Sequence, residues 1–370
     1  MKIGIVTYTS LHCNFTNYGT VLQSWAMQQA LRKINDVDPI LVNYCPVSMK
    51  DKDPLDPMKN MWDTNGDARK LCEMSLPVIR ENYKKICDFY NQNMAMTSNE
   101  YDVDNFDNIH KEGITNFLIG SDSIFDIQEF GLDRVYFADT NLMRGNSIAY
   151  APSFQDSIDN YREEDLSILN QYLCNFKSLS LRENQLISYV KEHVREDVQQ
   201  VIDPTLLLHP DEYESIIAES QMKEKYLLYY SRRYNPEMEK FVYNLALKTG
   251  LKVVEISLRA NNAEKAIMRY DAGVEEFLSL VKNAEYVVTN SYHCMIFAIQ
   301  FSRPFFVFSR EHCERKIVEL LQMLGLYDRY CTTASISQVA VIDYSKVSSM
   351  ISDKRKHSLD YLNKAVESLK

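Results

Sequence analysis

Ile3-Gly4-Ile5-Val6-Thr7-Tyr8, an amphipathic stretch over 18–33, and then Ile40-Leu41-Val42-Asn43-Tyr44 form the opening that decides the fold. A short apolar run, a helix-length segment and a second apolar run read as a β-α-β unit, the building block of a parallel sheet. The alternation continues outward from it. Residues 46–69, rich in Asp, Pro, Met and Asn and without a period, read as a long loop, and a helix is expected over about 70–91. Strands are expected at 117–120, 147–151, 178–181 and 199–202, with helices over 164–174 and 184–193. The pattern breaks at Asp203-Pro204 and across 206–224. It resumes with strands at 226–230, 253–256, 286–289 and 305–308, helices over 236–249, 274–282, 292–301 and 311–324, and a last helix over 344–369. Strands alternating with helices imply largely parallel sheets covered on both faces. The expected fold is α/β: two Rossmann-like α/β domains facing a central cleft, residues 1–208 and 209–343, with 344–370 a helix packed back on the first.

Composition narrows the function classes. The chain has 370 residues, 45% hydrophobic and 25% charged, with 41 Lys+Arg against 51 Asp+Glu and a net charge of −10. That balance repels polyanions, so nucleic acid is not an expected partner. Only 10 glycines are present, and the closest two, Gly113 and Gly120, are seven apart, which leaves no room for a G-x-G-x-x-G or Walker A loop. An anion site must then use helix N-termini and cationic side chains. Eight scattered cysteines without a C-x-x-C read as free thiols in a reducing cytoplasm. The run Met1 to Val6 is too short for a signal peptide, and the uncharged stretches 3–31 and 286–302 are too polar to span a bilayer.

Ligands in such sheets bind beyond the carboxyl ends of the strands, so chemistry is sought in the segments that follow strands. Asn17 after the first strand is a helix cap, and Tyr18-Gly19 lets backbone approach a ligand; a plain capped helix start and an anion or sugar grip both fit. Ser121-Asp122 ends an apolar strand, where Asp122 is either a turn former or a base for a sugar hydroxyl. Arg182 follows another strand; it is either an ion-pair partner of Glu183 or a bidentate anion contact. Asn290-Ser291-Tyr292-His293 is the richest stretch, because a His in a first helical turn sits near the positive end of the dipole and suits acid–base work. Arg232-Arg233, and Arg310 with Arg315-Lys316, are basic spots in an acidic chain, either solvated or suited to an anionic substrate. The pairs His12-Cys13, His293-Cys294 and His312-Cys313 lack zinc-ligand spacing, so no metal site is expected.

Six ordered stretches together resemble the polysaccharide pyruvyl transferase family: Asn17 to Gln23, Leu118 to Phe125, Ser147 to Phe154, Leu179 to Glu183, Val201 to Leu207 and Ala284 to His293. The resemblance implies a fold like the B-type glycosyltransferases, phosphoenolpyruvate as donor, and as acceptor a sugar or lipid-linked oligosaccharide of a surface-polysaccharide precursor. It places the acceptor on the first domain and the donor on the second. The product would be a pyruvate ketal, made in the cytoplasm or at the inner face of its membrane. It implies donor binding and catalysis at Arg182 and His293, with Asp122 serving the acceptor and no cofactor required. Asn17, Tyr18, Gly19, Ser121, Asn290 and Ser291 are expected substrate contacts. Some members carry Arg where this chain has Ser291, which leaves the donor-binding cation to be found among Arg232, Arg310 and Arg315. A nucleotide-sugar glycosyltransferase and a non-catalytic sugar-binding member are the alternatives on the same architecture.

Overall fold

Strands that are apolar at every position have no solvent face, and Leu228 at the middle of Tyr226–Tyr230 is flanked by Val254 on one side and Val287 on the other, as the centre of a parallel sheet requires. The structure is a computed structural model that describes residues 1–56, 66–155, 158–257, 260–310, 313–335 and 341–370. Its first unit runs β1 (Lys2–Val6), α1 (Tyr18–Arg32), β2 (Asp38–Tyr44), α2 (Gly66–Asn93), β3 (Met96–Tyr101), β4 (Asn116–Ile119), α3 (Ile127–Phe130), β5 (Ser147–Ala149), α4 (Glu163–Leu173), β6 (Ser178–Leu181), α5 (Asn184–His193) and β7 (Gln199–Gln200). The second runs β8 (Tyr226–Tyr230), α6 (Pro236–Thr249), β9 (Lys252–Ile256), β10 (Ile267–Met268), α7 (Val274–Lys282), β11 (Tyr286–Thr289), α8 (Tyr292–Gln300), β12 (Phe305–Phe308), α9 (Glu314–Met323) and β13 (Tyr330–Cys331), followed by α10 (Tyr344–Glu367).

The strands pair in parallel in the orders β3-β2-β1-β4-β5-β6-β7 and β10-β9-β8-β11-β12-β13. Both orders reverse direction beside the first strand of the unit, so each sheet has a switch point, between β1 and β4 and between β8 and β11, where two strand-end loops diverge and leave a crevice. The expected two Rossmann-like α/β units are therefore present.

What joins them is α1. It is buried along nearly its whole length, which a surface helix cannot be. Tyr18 stacks on Phe277 of α7 at 4.3 Å and Trp25 packs on Tyr213 at 5.3 Å. One continuous apolar core thus fills the space between the facing sides of the two sheets, with separate cores on their outer sides. α2 reinforces the seam, since Asn82 donates to the Ala272 carbonyl at 2.6 Å and Lys85 pairs with Glu276 at 2.9 Å. From α10, Tyr361 donates to the Ala149 carbonyl at 3.0 Å and Arg355 to Leu206 at 2.8 Å, so the terminal helix lies against the first sheet.

Some elements differ from expectation. β3 was not expected, because Met-Thr-Ser-Asn-Glu-Tyr is an edge strand with few buried positions and hence a weak apolar signal. The same lack of burial hides β10 and β13, each two residues long. Of the expected loop 46–69, residues 57–65 lie outside the described ones, Val47–Met49 make a 3-10 turn, and 66–69 already belong to α2, which runs on through Pro77. Residues 311–312, expected to start a helix, also lie outside the described ones; α9 begins at Glu314.

Candidate active site

The two switch points face each other across a polar cleft of about 330 Å³. Asn14, Phe15 and Asn17 reach it from the loop after β1, Asp122 and Ser123 from beyond β4, Arg232 and Arg233 from beyond β8, and Ser291, Tyr292 and His293 from beyond β11. Asp126, Gln128, Glu129 and Gln155 line one flank, and Arg310 and Lys316, beyond β12, line another.

His293 occupies the first turn of α8, whose cap is Ser291, its Oγ accepting from the Cys294 amide at 3.3 Å. The imidazole is flanked on two sides. Its Nε2 lies 3.4 Å from Asp203 Oδ2. On the other side is Gly19, where a Cβ would stand 2.0 Å from His293 Nδ1; only glycine lets the start of α1 approach the ring so closely. Asp203 in turn accepts from Arg182 Nη1 at 2.8 Å and from the Thr205 hydroxyl at 2.7 Å. Arg182 Nε donates to Glu183 at 3.0 Å, and its guanidinium lies 4.9 Å from the Tyr292 ring centre. Burial pushes the Asp203 carboxyl up, but the His293 and Arg182 charges and the hydrogen bonds outweigh it and hold the group well below the usual carboxylate range.

Asp122 faces this arrangement from the first unit. It adopts a left-handed backbone (φ 67°), which Asp tolerates, just after Gly120, where a Cβ would collide with the Tyr150 carbonyl at 2.2 Å. Its Oδ2 accepts from the Thr20 hydroxyl at 2.9 Å and its Oδ1 from the Ser123 amide at 2.8 Å. Burial alone would raise this carboxyl; the His293, Lys316 and Arg182 charges bring it below its ordinary value. Glu129 moves the other way. Its side chain is open to solvent but enclosed by the cleft walls, and that enclosure, with the Asp126 and Asp122 carboxylates adding to it, pushes it up to about 7 against Lys316 and Arg310. Gln155 bridges Asp126 at 3.0 Å and Glu129 at 3.1 Å through one amide nitrogen.

Of the expected site residues, Asn17, Asp122, Arg232, Ser291, His293 and Arg310 line the cleft. Six others do not. Tyr18 is turned into the interdomain seam, where its hydroxyl donates to the Ala272 carbonyl at 2.8 Å. Gly19 serves His293 through its missing side chain. Ser121 is fully buried, donating to the Ala151 carbonyl at 2.8 Å. Asn290 spends its amide on the Arg232 N–H at 2.8 Å and the Arg233 carbonyl at 2.7 Å, pinning the turn that carries the two arginines. Arg182 is 5% exposed and lies behind Tyr292, its charge met by two carboxylates, so it does not reach the cleft. Arg315 is not among the residues that line the cleft; the cleft cation of α9 is its neighbour Lys316. Burial pushes the Cys294 thiol up to about 12, which leaves no Cys–His nucleophile there. Among the described residues, no three His, Cys, Asp or Glu side chains are grouped to hold a metal ion, and no helix is long and apolar enough to cross a membrane.

Sequence reasoning missed Asp203, Glu129 and Gln155 as site residues, and in the basic spot Arg315-Lys316 it chose the arginine. A signal existed for Lys316: Cys313, Lys316, Ile317, Leu320 and Leu321 share the buried stripe of α9, whereas Arg315 is off it.

Two parallel α/β sheets with opposed switch points define the class of two-Rossmann-domain proteins of the GT-B type. The solved structures agree. A putative UDP-N-acetylglucosamine 2-epimerase from Listeria monocytogenes matches with TM-score 0.52 at 10% identity over 98% of this chain and 90% of its own. The Methanocaldococcus jannaschii UDP-GlcNAc 2-epimerase in complex with UDP-GlcNAc and UDP matches with TM-score 0.50 at 13% identity over 99% and 92%. At these identities the likeness is one of fold. No curated protein is significantly similar in sequence. The family model for polysaccharide pyruvyl transferases matches residues 17–312, and the chain belongs to that family.

Proposed function

We propose that the protein transfers the enolpyruvyl group of phosphoenolpyruvate to two hydroxyls of a sugar in a surface-polysaccharide precursor, forming a pyruvate ketal and releasing phosphate. The observation that carries the reading, beside the family, is that the cleft sets a carboxylate-backed imidazole, His293 on Asp203, opposite Asp122, with Arg232 and Arg310 nearby and in no ion pair with a described carboxylate.

The chemistry needs one proton delivered to the donor's methylene carbon, a base for sugar hydroxyls, and cations for phosphate and carboxylate. His293 donates the proton to C3, which becomes a methyl group and leaves C2 electron-poor. One sugar hydroxyl bonds to C2 as its proton passes to Asp122. The C2–O bond to phosphorus then breaks, phosphate leaves with the bonding pair, and the second hydroxyl closes the ketal. Of the two hydroxyl protons lost, one balances the proton gained by C3 and the other leaves with phosphate or solvent. Arg182 is a positioning residue here: it fixes Asp203, and Asp203 stabilises the imidazolium. Asn17 and Ser291 frame the ligand at two helix starts, and Arg232 and Arg310 meet its negative charge.

Thermal unfolding with millimolar phosphoenolpyruvate tests the reading. Saturation at about 100 times the dissociation constant stabilises by roughly 2.7 kcal/mol. Wild type should be stabilised and release phosphate only when an acceptor is present; His293→Ala should keep donor stabilisation and lose turnover. Stabilisation by UDP instead of phosphoenolpyruvate would transfer the assignment to a nucleotide-sugar glycosyltransferase.

A further inference from the structure

The side chain of Lys316 runs through the protein and brings its ammonium to the cleft wall, where Asp122 and Glu129 feel its charge without pairing with it. The residue is 7% exposed, it lines the cleft, and none of the described carboxylates lies within ion-pair distance of it. Close to it are the Tyr292 ring, whose centre is 5.7 Å from Nζ, and the Cys313 thiol, which its charge helps to bring below the ordinary value. Arg310 comes to the same sulfur, Nη2 to Sγ at 2.5 Å, and its buried Nε has no hydrogen-bond partner among the described residues. Two cations therefore come together around one sulfur, which also lies 3.9 Å from Gln155 Oε1, at the wall of a cleft. Their joint field is visible in the thiol itself: burial would raise it, yet Lys316 and Arg310 bring it below its ordinary value. Arg182 is the contrast within the same molecule, equally buried but met by Glu183 and Asp203.

Two like charges held close together at a cleft wall repel each other, and an anion arriving between them relieves that repulsion. A phosphoryl group, with close to two negative charges and three acceptor oxygens, matches two convergent donors better than a carboxylate does. We propose that Lys316 and Arg310 form the phosphate-binding subsite of the cleft, with Lys316 as the cation that this chain uses where Ser291 leaves none. The identity of the phosphate's owner rests on the reading above; the subsite itself does not.

The test is titration calorimetry with inorganic phosphate, phosphoenolpyruvate and UDP on wild type, Lys316→Met and Lys316→Arg, alongside ligand-free unfolding temperatures. Wild type should bind phosphate and phosphoenolpyruvate, Lys316→Met should weaken both by about tenfold or more, and Lys316→Arg should recover most of the loss. Ligand-free Lys316→Met should unfold close to wild type, because no described carboxylate is within ion-pair distance of the lysine; a purely structural lysine would lower that temperature. Should Lys316→Met fail to fold, Arg310→Gln, at a half-buried site, carries the same binding prediction. Unchanged phosphate and phosphoenolpyruvate affinity in Lys316→Met overturns the subsite and leaves the donor assignment standing. Binding of phosphate and UDP but not phosphoenolpyruvate, lost in Lys316→Met, keeps the subsite and removes the donor assignment. No binding of any of the three by wild type overturns both.

Discussion

Replacing Gly19 by Ala puts a methyl group where His293 now stands. The added Cβ would be 2.0 Å from Nδ1, 2.4 Å from Cγ and 2.9 Å from the histidine Cβ, whereas ordinary van der Waals contact starts at 3.4 Å. The ring must retreat by roughly 1.4 Å or the start of α1 must move, since overpacking in a close-packed interior is not absorbed without displacement. Retreat draws the imidazole off Asp203, now 3.4 Å away. Misplacement on the order of 1 Å costs about 100-fold in rate, so kcat for phosphate release in the presence of acceptor should fall by about that factor. Two opposing terms set the stability. Overpacking costs about 1–3 kcal/mol, and Ala in place of Gly within a helix returns up to about 1 kcal/mol. The backbone of Gly19 is not left-handed, so no conformational penalty enters. The decisive assay is a double-mutant cycle by denaturant unfolding. Gly19→Ala should destabilise wild type and do so much less in the His293→Ala background, where the ring is gone and only the 2.9 Å approach to the Cβ of residue 293 is left. Equal effects in both backgrounds would refute the contact, and full activity of Gly19→Ala would refute the role of the fixed ring.

Asp203→Asn removes the carboxylate that Arg182 and His293 share, and breaking a buried pair from one side should cost about 3–5 kcal/mol in unfolding free energy, with phosphate release lost as well. Asp203 and Asp122 both titrate below their ordinary values, so the stability they contribute is present above about pH 4 and lost as pH falls through their lower folded values; unfolding temperature followed from pH 6 to pH 2 should drop, less steeply in Asp203→Asn. Glu129 has the opposite sign. Its carboxyl is pushed up to about 7, so the folded state holds a proton that the unfolded state has lost, and stability falls as pH rises from about 4 through 7. Glu129→Gln should therefore unfold at a higher temperature than wild type at pH 8 and at the same temperature at pH 4. Arg182→Gln should lower the unfolding temperature and kcat while leaving the phosphoenolpyruvate dissociation constant within about twofold, as a positioning residue behind the cleft requires; a large rise in that constant would return it to the donor site.

Element order and fold class were legible in the sequence because they are written in local periodicity. A run such as Tyr226 to Tyr230, apolar throughout and bounded by breaks, can only be a strand buried on both faces, and its alternation with helices dictates parallel pairing. The scarcity of glycine likewise excluded a glycine-rich phosphate loop from composition alone. The positions after strands were legible as places to look, and Asp122 and His293 sit in the cleft where strand ends meet.

Which of those places come together was decided only by tertiary packing. Arg182, Asp203 and His293 stand in one line, yet they belong to β6's end, the break between the units and α8, and nothing local to any of them encodes the other two. Their meeting depends on α1 being clasped between the two sheets, which also turns Tyr18 into the seam and makes Gly19 a spacer for an imidazole. Charge is the second thing sequence could not apportion. Arg182, Arg232, Arg310 and Lys316 are all cations near strand ends, but whether each charge is neutralised depends on carboxylates brought from elsewhere in the chain. Arg182 is ion-paired with two of them; Lys316 acts on Asp122 and Glu129 across the cleft without an ion pair to any described one. Burial periodicity is a property of neighbours in sequence, whereas neutralisation is a property of neighbours in space, and the availability of a cation for a ligand follows from the second.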